Sequence, residues 1–167
     1  MIRKIPFLLA ILCIVGGVFI SILFAVNEEM FIHRIHAGLE KNIKIQRMEN
    51  LVEKAAKITS ETEKSWRYYQ RFHFHATGIG AMMLGLLLFL SGLNAPRKLV
   101  NVGSYLISVG GFLYPFVWLF AGIYGPEMGR AEAKEAFALF GYMGGLFLAG
   151  GIWTFVLGLC YKLKSST

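Results

Sequence analysis

All four histidines of the chain lie in two short clusters, and they are the residues with the clearest capacity for chemistry. His33 and His36 follow the first long apolar segment, whereas His73 and His75 precede the second. Neutral imidazole is the commonest protein ligand of metals and an axial ligand of haem. The two pairs therefore predict a cofactor that is held between two neighbouring helices.

Helical geometry adds a carboxylate to this set. On a continuous helix, Glu29 lies four residues before His33, and His33 and His36 share one face. His73 and His75 are two residues apart, roughly 200° around a helix, so only one of them readily faces the first pair. If the two apolar segments are centred at one depth, His73 lies level with Glu29.

Three hypotheses follow for this cluster. Haem b would take axial imidazoles from opposite helices, with aromatic rings along its faces and arginines near its propionates; the candidates are Phe31, Phe72, Phe74, Arg34, Arg67 and Arg71. A bare copper, iron or zinc ion would instead use His33, His36, His73, His75 and Glu29 as metal ligands. In the third hypothesis the histidines bind no cofactor and lie at the membrane interface.

Four apolar segments must position these side chains. They cover residues 5–26, 76–94, 99–124 and 136–161 and contain no Lys, Arg, Asp or Glu. About 20 apolar residues cross the hydrocarbon core of a bilayer. Hydrophobic residues make up 56% of the chain and charged residues 16%, which leaves little polar surface for a soluble domain. The sequence predicts an all-α integral membrane protein, a single four-helix bundle over residues 1–167.

The distribution of basic residues predicts how the bundle is oriented. Lys and Arg at residues 3–4, 97–98 and 162–164 flank the segments on one side, and such short basic flanks face the cytoplasm. Both termini are therefore expected in the cytoplasm (at the inner membrane, in a bacterium). The first apolar run exceeds the 7–15 residues of a signal-peptide core, which predicts an uncleaved anchor.

Residues 27–75 then form an extracytoplasmic segment, for which the sequence predicts an antiparallel helical hairpin that extends helices 1 and 2. Oppositely charged residues four apart support exposed helix: Glu40/Lys44, Glu53/Lys57 and Glu63/Arg67. An apolar stripe at helical spacing runs through Met48, Leu51, Val52, Ala55 and Ala56. Ser60 and Glu63 have the form of a capping box, which predicts that a helix restarts there.

The second half of the chain carries a stripe of small residues, Gly141, Gly145 and Ala149. Small residues at this spacing let helix backbones approach closely. The stripe predicts tight packing inside the bundle, or contact with a membrane protein partner or a second copy. In the third apolar segment, Pro115 predicts a kink.

The function is less constrained than the architecture. The sequence lacks phosphate-binding, dinucleotide and hydrolase motifs and carries no nucleic-acid motif, so no catalytic residue and no nucleic-acid partner are predicted, and enzymatic activity stays open. The leading hypothesis is a haem- or metal-binding redox protein, for electron transfer or for gas or redox sensing. The alternatives are a cofactor-free assembly or interaction subunit and a copper- or iron-handling protein.

Overall fold

The computed structural model describes residues 3–164 and is 88% helical, with no strand in this range. Its helices are α1 (Lys4–Val26), α2 (Glu28–Lys41), α3 (Ile43–Gln46), α4 (Leu51–Gly92), α5 (Arg97–Leu113), α6 (Phe116–Met128), α7 (Arg130–Ala136) and α8 (Ala138–Cys160). Four units are long and apolar enough to cross a membrane: α1, α4, α8, and α5 with α6 taken together. The prediction of an all-α chain with four such helices is confirmed.

Three asparagines mark the helix boundaries in the first half of the chain. The side chain of Asn27 accepts a hydrogen bond from the Met30 amide at 3.0 Å, and Asn42 and Asn50 cap α3 and α4 in the same way. Asparagine suits these positions because its carbonyl satisfies an amide that the first helical turn leaves without a partner. Pro115 lies between α5 and α6, as expected for a residue that has no N–H to donate.

The capping-box prediction at Ser60 is wrong, since α4 continues without a break through this point for 42 residues. The Thr59 hydroxyl donates to the Ala55 carbonyl at 3.1 Å, and the Thr62 hydroxyl donates to Ile58 at 2.8 Å. Hydroxyls that bond to carbonyls one turn back are satisfied inside a helix. They therefore do not force a new helix to start.

Glycines allow the backbones of two helix pairs, α1 with α4 and α5 with α8, to come into close contact. In α1, an added Cβ at Gly17 would lie 2.8 Å from the Thr77 nitrogen of α4. Between α5 and α8, an added Cβ at Gly150 would lie 2.7 Å from the Ile107 nitrogen, and one at Gly110 would meet the Phe147 nitrogen. Only glycine lets these backbones approach so closely, so these positions fix how the helices pair.

The small-residue stripe of α8 does not make this packing. Gly145 has open space beside it, Ala149 is exposed, and the nearest side-chain atom to a Cβ at Gly141 is 3.8 Å away. The buried face of α8 instead passes through Gly150, Thr154 and Leu157. Since Gly150 follows Ala149 directly, that face is rotated by about 100° from the stripe. Contact of the stripe with a partner stays a prediction.

The predicted basic flanks lie at one end of the molecule, which we call the basic end (residues 3–4, 93–98 and 161–164). The Asn94 amide donates to the Lys162 carbonyl at 2.9 Å, and the Lys164 amide donates to Gly92 at 2.8 Å. Arg3 lines the same surface cavity as Asn101. Arg3, residues 161–164 and the α4–α5 turn therefore share this end.

The opposite end is a compact unit, which we call the cap: α2, α3, residues 51–75 of α4 and residues 122–136. Its core is a cluster of buried apolar side chains from three helices: Phe31, Ile35, Leu39, Ile45 and Tyr69. The side-chain amide of Asn42 donates a hydrogen bond to the Pro126 carbonyl at 2.9 Å, and the Lys44 ammonium forms an ion pair with Glu132 at 2.5 Å. These contacts join the 27–75 segment to the loop between the last two apolar segments.

Two details of the cap differ from expectation. Of the predicted i,i+4 ion pairs, Glu63 and Arg67 lie 3.6 Å apart, whereas Lys57 pairs with Glu61 and not with Glu53. Lys44 pairs with Glu132, because Asn42 ends the helix that would place Lys44 beside Glu40. The apolar stripe at the start of α4 is exposed, with Leu51 and Val52 each 79% accessible.

Candidate functional site

His73 faces α1. Its Nδ1 lies 2.8 Å from the Gly17 carbonyl oxygen, and its ring lies 6.4 Å from the Phe24 ring, edge to face. A carbonyl oxygen only accepts, so Nδ1 carries a proton in this hydrogen bond. In the neutral ring, Nε2 then keeps the free lone pair.

His75 faces α6 instead. Its Nδ1 lies 2.8 Å from the Arg71 carbonyl of its own helix, and its ring lies 5.5 Å from Tyr114 and 5.6 Å from Trp118. The two-residue separation from His73 accounts for the opposite direction, since it corresponds to roughly 200° of helix. His73 and His75 therefore have different neighbours, as the sequence predicts.

His33 and His36 lie on the exposed face of α2, and Glu29 is exposed in its first turn. The buried face of this helix carries Phe31 and, at four-residue intervals, Ile35 and Leu39. The apolar packing of the cap thus decides which way the α2 histidines face.

The register of α1 against α4 differs from expectation. His73 bonds to Gly17, which lies twelve residues before Glu29, the residue expected at its level. The close contact of Gly17 with Thr77 sets this register, because the two backbones meet where neither carries a large side chain. Equal depth of the two segment centres was the wrong assumption.

No group of three or more His, Cys, Asp or Glu side chains arranged to hold a metal ion occurs within residues 3–164. His73 and His75 have different neighbours, and the α2 histidines lie on an exposed face. Two of the imidazoles, those of His73 and His75, are held through Nδ1. Metal-ligating histidines are commonly oriented by such an Nδ1–H bond to a carbonyl.

The residues expected around a haem are also dispersed. Phe31 belongs to the cap core, Phe72 packs on Phe116 at 5.7 Å between ring centroids, and Phe74 is 66% exposed. An apolar cavity of about 330 Å³ lies between α1, α4, α5 and α6 and includes Cys13 and Phe72 in its lining, but no histidine. The histidines and the apolar cavity are therefore separate features.

A charged centre that the sequence analysis missed lies in the cap. The Glu61 carboxylate accepts from Arg130 Nε at 2.6 Å and lies 3.4 Å from Lys57 and 3.5 Å from Lys64. Burial alone would raise the pKa of Glu61, but the hydrogen bonds and charges of Arg130 and Lys57 outweigh it and lower that pKa. The spacing of Lys57 and Lys64 along α4 is typical of ion pairs with Glu61 on one helix. Arg130 is 69 residues away from Glu61, so no local pattern predicts that pair.

Beside this centre, cations and aromatic rings meet between α4 and the 116–136 region. The rings of Tyr68 and Trp118 stack with centroids 5.8 Å apart. The Arg71 guanidinium and the Lys134 ammonium each lie within 6 Å of both rings, a distance at which cation–π attraction operates. From the sequence, Arg71 is expected only near the propionates of a haem.

Comparisons with protein-family models, with curated proteins and with solved structures find no match to this chain.

Proposed function

We propose that the chain is a multi-pass integral membrane protein in which the four long apolar helices form a bundle across the bilayer. Both termini lie in the cytoplasm, and the cap lies on the extracytoplasmic side. Support for this orientation comes from the basic end, where three short Lys/Arg-rich flanks lie together. The many exposed apolar side chains of α1 and α8, such as Leu8 and Phe155, would then contact lipid.

Cysteine labelling tests this orientation. Cys13 and Cys160 are first replaced by serine, and single cysteines are then introduced as Lys54→Cys in the cap or Lys98→Cys at the basic end. A membrane-impermeant maleimide added to intact cells, or to spheroplasts of a bacterial host, should label the Lys54→Cys protein. The Lys98→Cys protein should react only after permeabilisation. The reverse pattern would overturn the orientation.

Within this frame, we propose that the chain works as a cofactor-free assembly or interaction subunit that docks a partner protein on the tip of the cap. The observation that carries the proposal is the exposed apolar stripe of Leu51, Val52 and Ala55. It lies twenty residues before Arg71 in α4, about 30 Å along the helix and so beyond the bilayer. Exposed apolar patches in water mark contact surfaces.

The rest of the cap supports such a role. Glu61 with Arg130 and Asn42 with the Pro126 carbonyl connect four helices into one unit. Ile58 is packed against the core of the cap, whereas the helical turn before it is uncovered. A fixed helix end that presents apolar side chains loses little entropy on binding.

Site-specific photo-crosslinking in the native membrane tests the docking proposal. A photoreactive phenylalanine analogue at Leu51 should give one discrete adduct, and the same analogue at exposed Glu63 should give none. A second change, Val52→Glu, should abolish the Leu51 adduct. An adduct of twice the chain mass would assign the surface to a second copy. The absence of any Leu51-specific adduct in cells that express the protein naturally would refute the proposal.

A second candidate is the haem- or metal-binding redox function, or copper or iron handling, with His73 or His75 as the ligand. The observation that favours it is the Nδ1 hydrogen bond of each ring, which leaves Nε2 as the free donor atom. Oxidised and reduced absorption spectra with elemental analysis of the purified protein test it. A haem band or stoichiometric metal that His73→Ala or His75→Ala removes would support ligation; retention in both variants would exclude these ligands.

A further inference from the structure

We propose that the rim of the α4–α6 contact binds a phosphate group, supplied by the headgroup of an anionic phospholipid of the outer leaflet. The phosphate site consists of Arg71, Lys134, Tyr68, Trp118 and His75. It is separate from the docking tip of the cap and does not depend on it. It rests on the proposed membrane insertion only for the choice of a lipid as the source of the phosphate.

The aromatic rings form the floor of the site. Tyr68 of α4 and Trp118 of α6 stack at an interplanar angle of 27°. His75 follows Tyr68 by about two turns of α4, and its ring lies 5.6 Å from the Trp118 ring. Tyr68 is buried and Trp118 is half-buried, so packing holds both rings. The position of the charged groups around them is thus fixed by the helix contact.

Two cations lie against this floor. Arg71 Cζ is 5.0 Å from the Trp118 centroid and 5.7 Å from that of Tyr68. Lys134 Nζ, which comes from α7, is 5.6 Å and 5.4 Å from the same two centroids. Because both cations lie within 6 Å of the same two ring centroids, the two positive charges are no more than about 9 Å apart, although they come from distant parts of the chain.

Neither cation has a carboxylate partner within 4.0 Å in the part of the chain described here. The acidic side chains that form ion pairs nearby serve other bases: Glu61 pairs with Arg130, Lys57 and Lys64, and Glu63 pairs with Arg67. Like charges held together without a counterion repel one another. An anion between Arg71 and Lys134 would remove this repulsion.

The indole of Trp118 adds an unsatisfied donor. Its Nε1 is buried and has no hydrogen-bond partner among the described residues. A buried donor without a partner costs free energy, so an acceptor oxygen that reaches Nε1 would relieve this cost. Guanidinium, ammonium and indole N–H groups are all donors to phosphate oxygens.

The depth of the site relative to the bilayer favours a lipid headgroup as the source of the phosphate. Arg71 precedes the apolar segment 76–94 by five residues, and Lys134 precedes the segment 136–161 by two. In the proposed orientation both lie at the outer boundary of the bilayer, where lipid phosphates lie and where Trp and Tyr gather. A net anionic lipid is preferred, since the choline group of a zwitterionic lipid would bring a third cation.

Fluorescence of Trp118 provides the test. The changes Trp66→Phe and Trp153→Phe leave Trp118 as the single tryptophan of the full-length protein in maltoside micelles. The protein is titrated with dihexanoyl phosphatidylglycerol, with dihexanoyl phosphatidylcholine, and with sodium phosphate. We expect a saturable change of Trp118 emission with phosphatidylglycerol at concentrations where phosphatidylcholine gives none, and competition by phosphate only at much higher concentration.

Charge variants locate the site. A basic residue near a lipid surface contributes about 1 kcal/mol, so Arg71→Gln and Lys134→Gln should each weaken phosphatidylglycerol binding about fivefold, whereas Lys134→Arg should retain it. The matched control is Arg67→Gln, which removes an exposed positive charge one turn earlier in the same helix and should change affinity less than twofold. Helical content and elution volume confirm that each variant is folded.

Three results would overturn the proposal. If Arg67→Gln weakens binding as much as Arg71→Gln, the attraction is diffuse surface charge and not a site. If sodium phosphate binds as tightly as the lipid, the source is free phosphate and the lipid assignment is wrong. If no phosphate compound changes Trp118 emission in the folded protein, there is no phosphate site.

Discussion

The basic half of the molecule (residues 3–26, 76–121 and 137–164) and the cap are each held together by a different kind of contact. In the basic half, α1 packs on α4 and α5 packs on α8 through glycines, and the core is a continuous apolar cluster around Met83, Leu87 and Leu90. In the cap, directional polar contacts such as Glu61–Arg130 and Asn42–Pro126 join short helices around a smaller apolar cluster.

This difference follows from the distribution of apolar residues around the helices of each half. Where helices are apolar on every side, burial does not choose a packing face, so close backbone contact at small residues does. Where one face meets water, amphipathic helices choose their own faces, as α2 does through Phe31, Ile35 and Leu39. The basic half should therefore respond to side-chain volume, and the cap to charge and pH.

The largest effect is expected for Gly110→Val. A Cβ at this position meets the backbone nitrogen of Phe147, which cannot move without displacing α8. Overpacking of this kind should cost about 3 kcal/mol or more, measured as the free energy of unfolding in mixed micelles. Gly145→Val is the matched control, because open space surrounds that glycine; it should change stability by about 0.5 kcal/mol or less. Equal losses in both would contradict the packing assignment.

A smaller and more local effect is expected for Glu61→Gln. The change leaves Arg130 without its anion, in a pair where Glu61 is 12% and Arg130 35% accessible. Such a partly buried pair lies between exposed and buried cases, so the loss should be about 2 kcal/mol. Hydrogen exchange should accelerate in α7 and in the facing turn of α4, with α1 and α8 unchanged. Exposed Glu63→Gln serves as the control and should leave exchange in α7 unaltered.

Acid should reproduce the Glu61→Gln effect in the native protein. The lowered pKa of Glu61 means that its contribution to stability is complete above the ordinary carboxyl pKa and is lost as pH falls through the lowered one. Protection of α7 should thus stay constant from pH 8 to 5 and fall below about pH 4. In the Glu61→Gln variant, the part of this loss of α7 protection that is due to protonation of Glu61 should be absent. An equal fall in both proteins would assign the acid response to another group.

The smallest effect is expected for Lys44→Gln. Lys44 and Glu132 are 76% and 45% accessible, and water screens such exposed pairs. The loss of stability should be much smaller than that caused by Glu61→Gln. A loss equal to that of Glu61→Gln would show that the cap depends on its surface charges and not on the half-buried centre at Glu61.

Local patterns predicted the helices because their causes are local. Runs of about 20 residues without charge, the absence of Pro from residues 27–75 and the break at Pro115 all act over a few turns. Local patterns gave wrong predictions at Ser60, where no helix restarts, and at Glu40/Lys44, where no ion pair forms. A hydroxyl can satisfy a helix carbonyl as well as cap a helix, and Asn42 ends α2 between the two charges.

The candidate sites depended on contacts between distant residues and were less predictable. The clustering of four histidines in sequence is real, but the register set by Gly17 and Thr77 and the burial of Phe31 direct them to different surroundings. Glu61 pairs with Arg130, and Arg71 and Lys134 lie over the same Trp118 ring, although the members of each pair are more than 60 positions apart in the chain. No spacing rule links such pairs.

The sequence by itself determined that the chain is helical, that four of its helices are long and apolar enough for a bilayer, and where its charges lie along the chain. These properties follow from composition and from the period of the helix. Only the tertiary structure decided which faces meet, at what register, and which charges remain without partners. The physical reason is that an apolar helix has many nearly equivalent packing faces, and contacts of single glycines and single ion pairs choose among them.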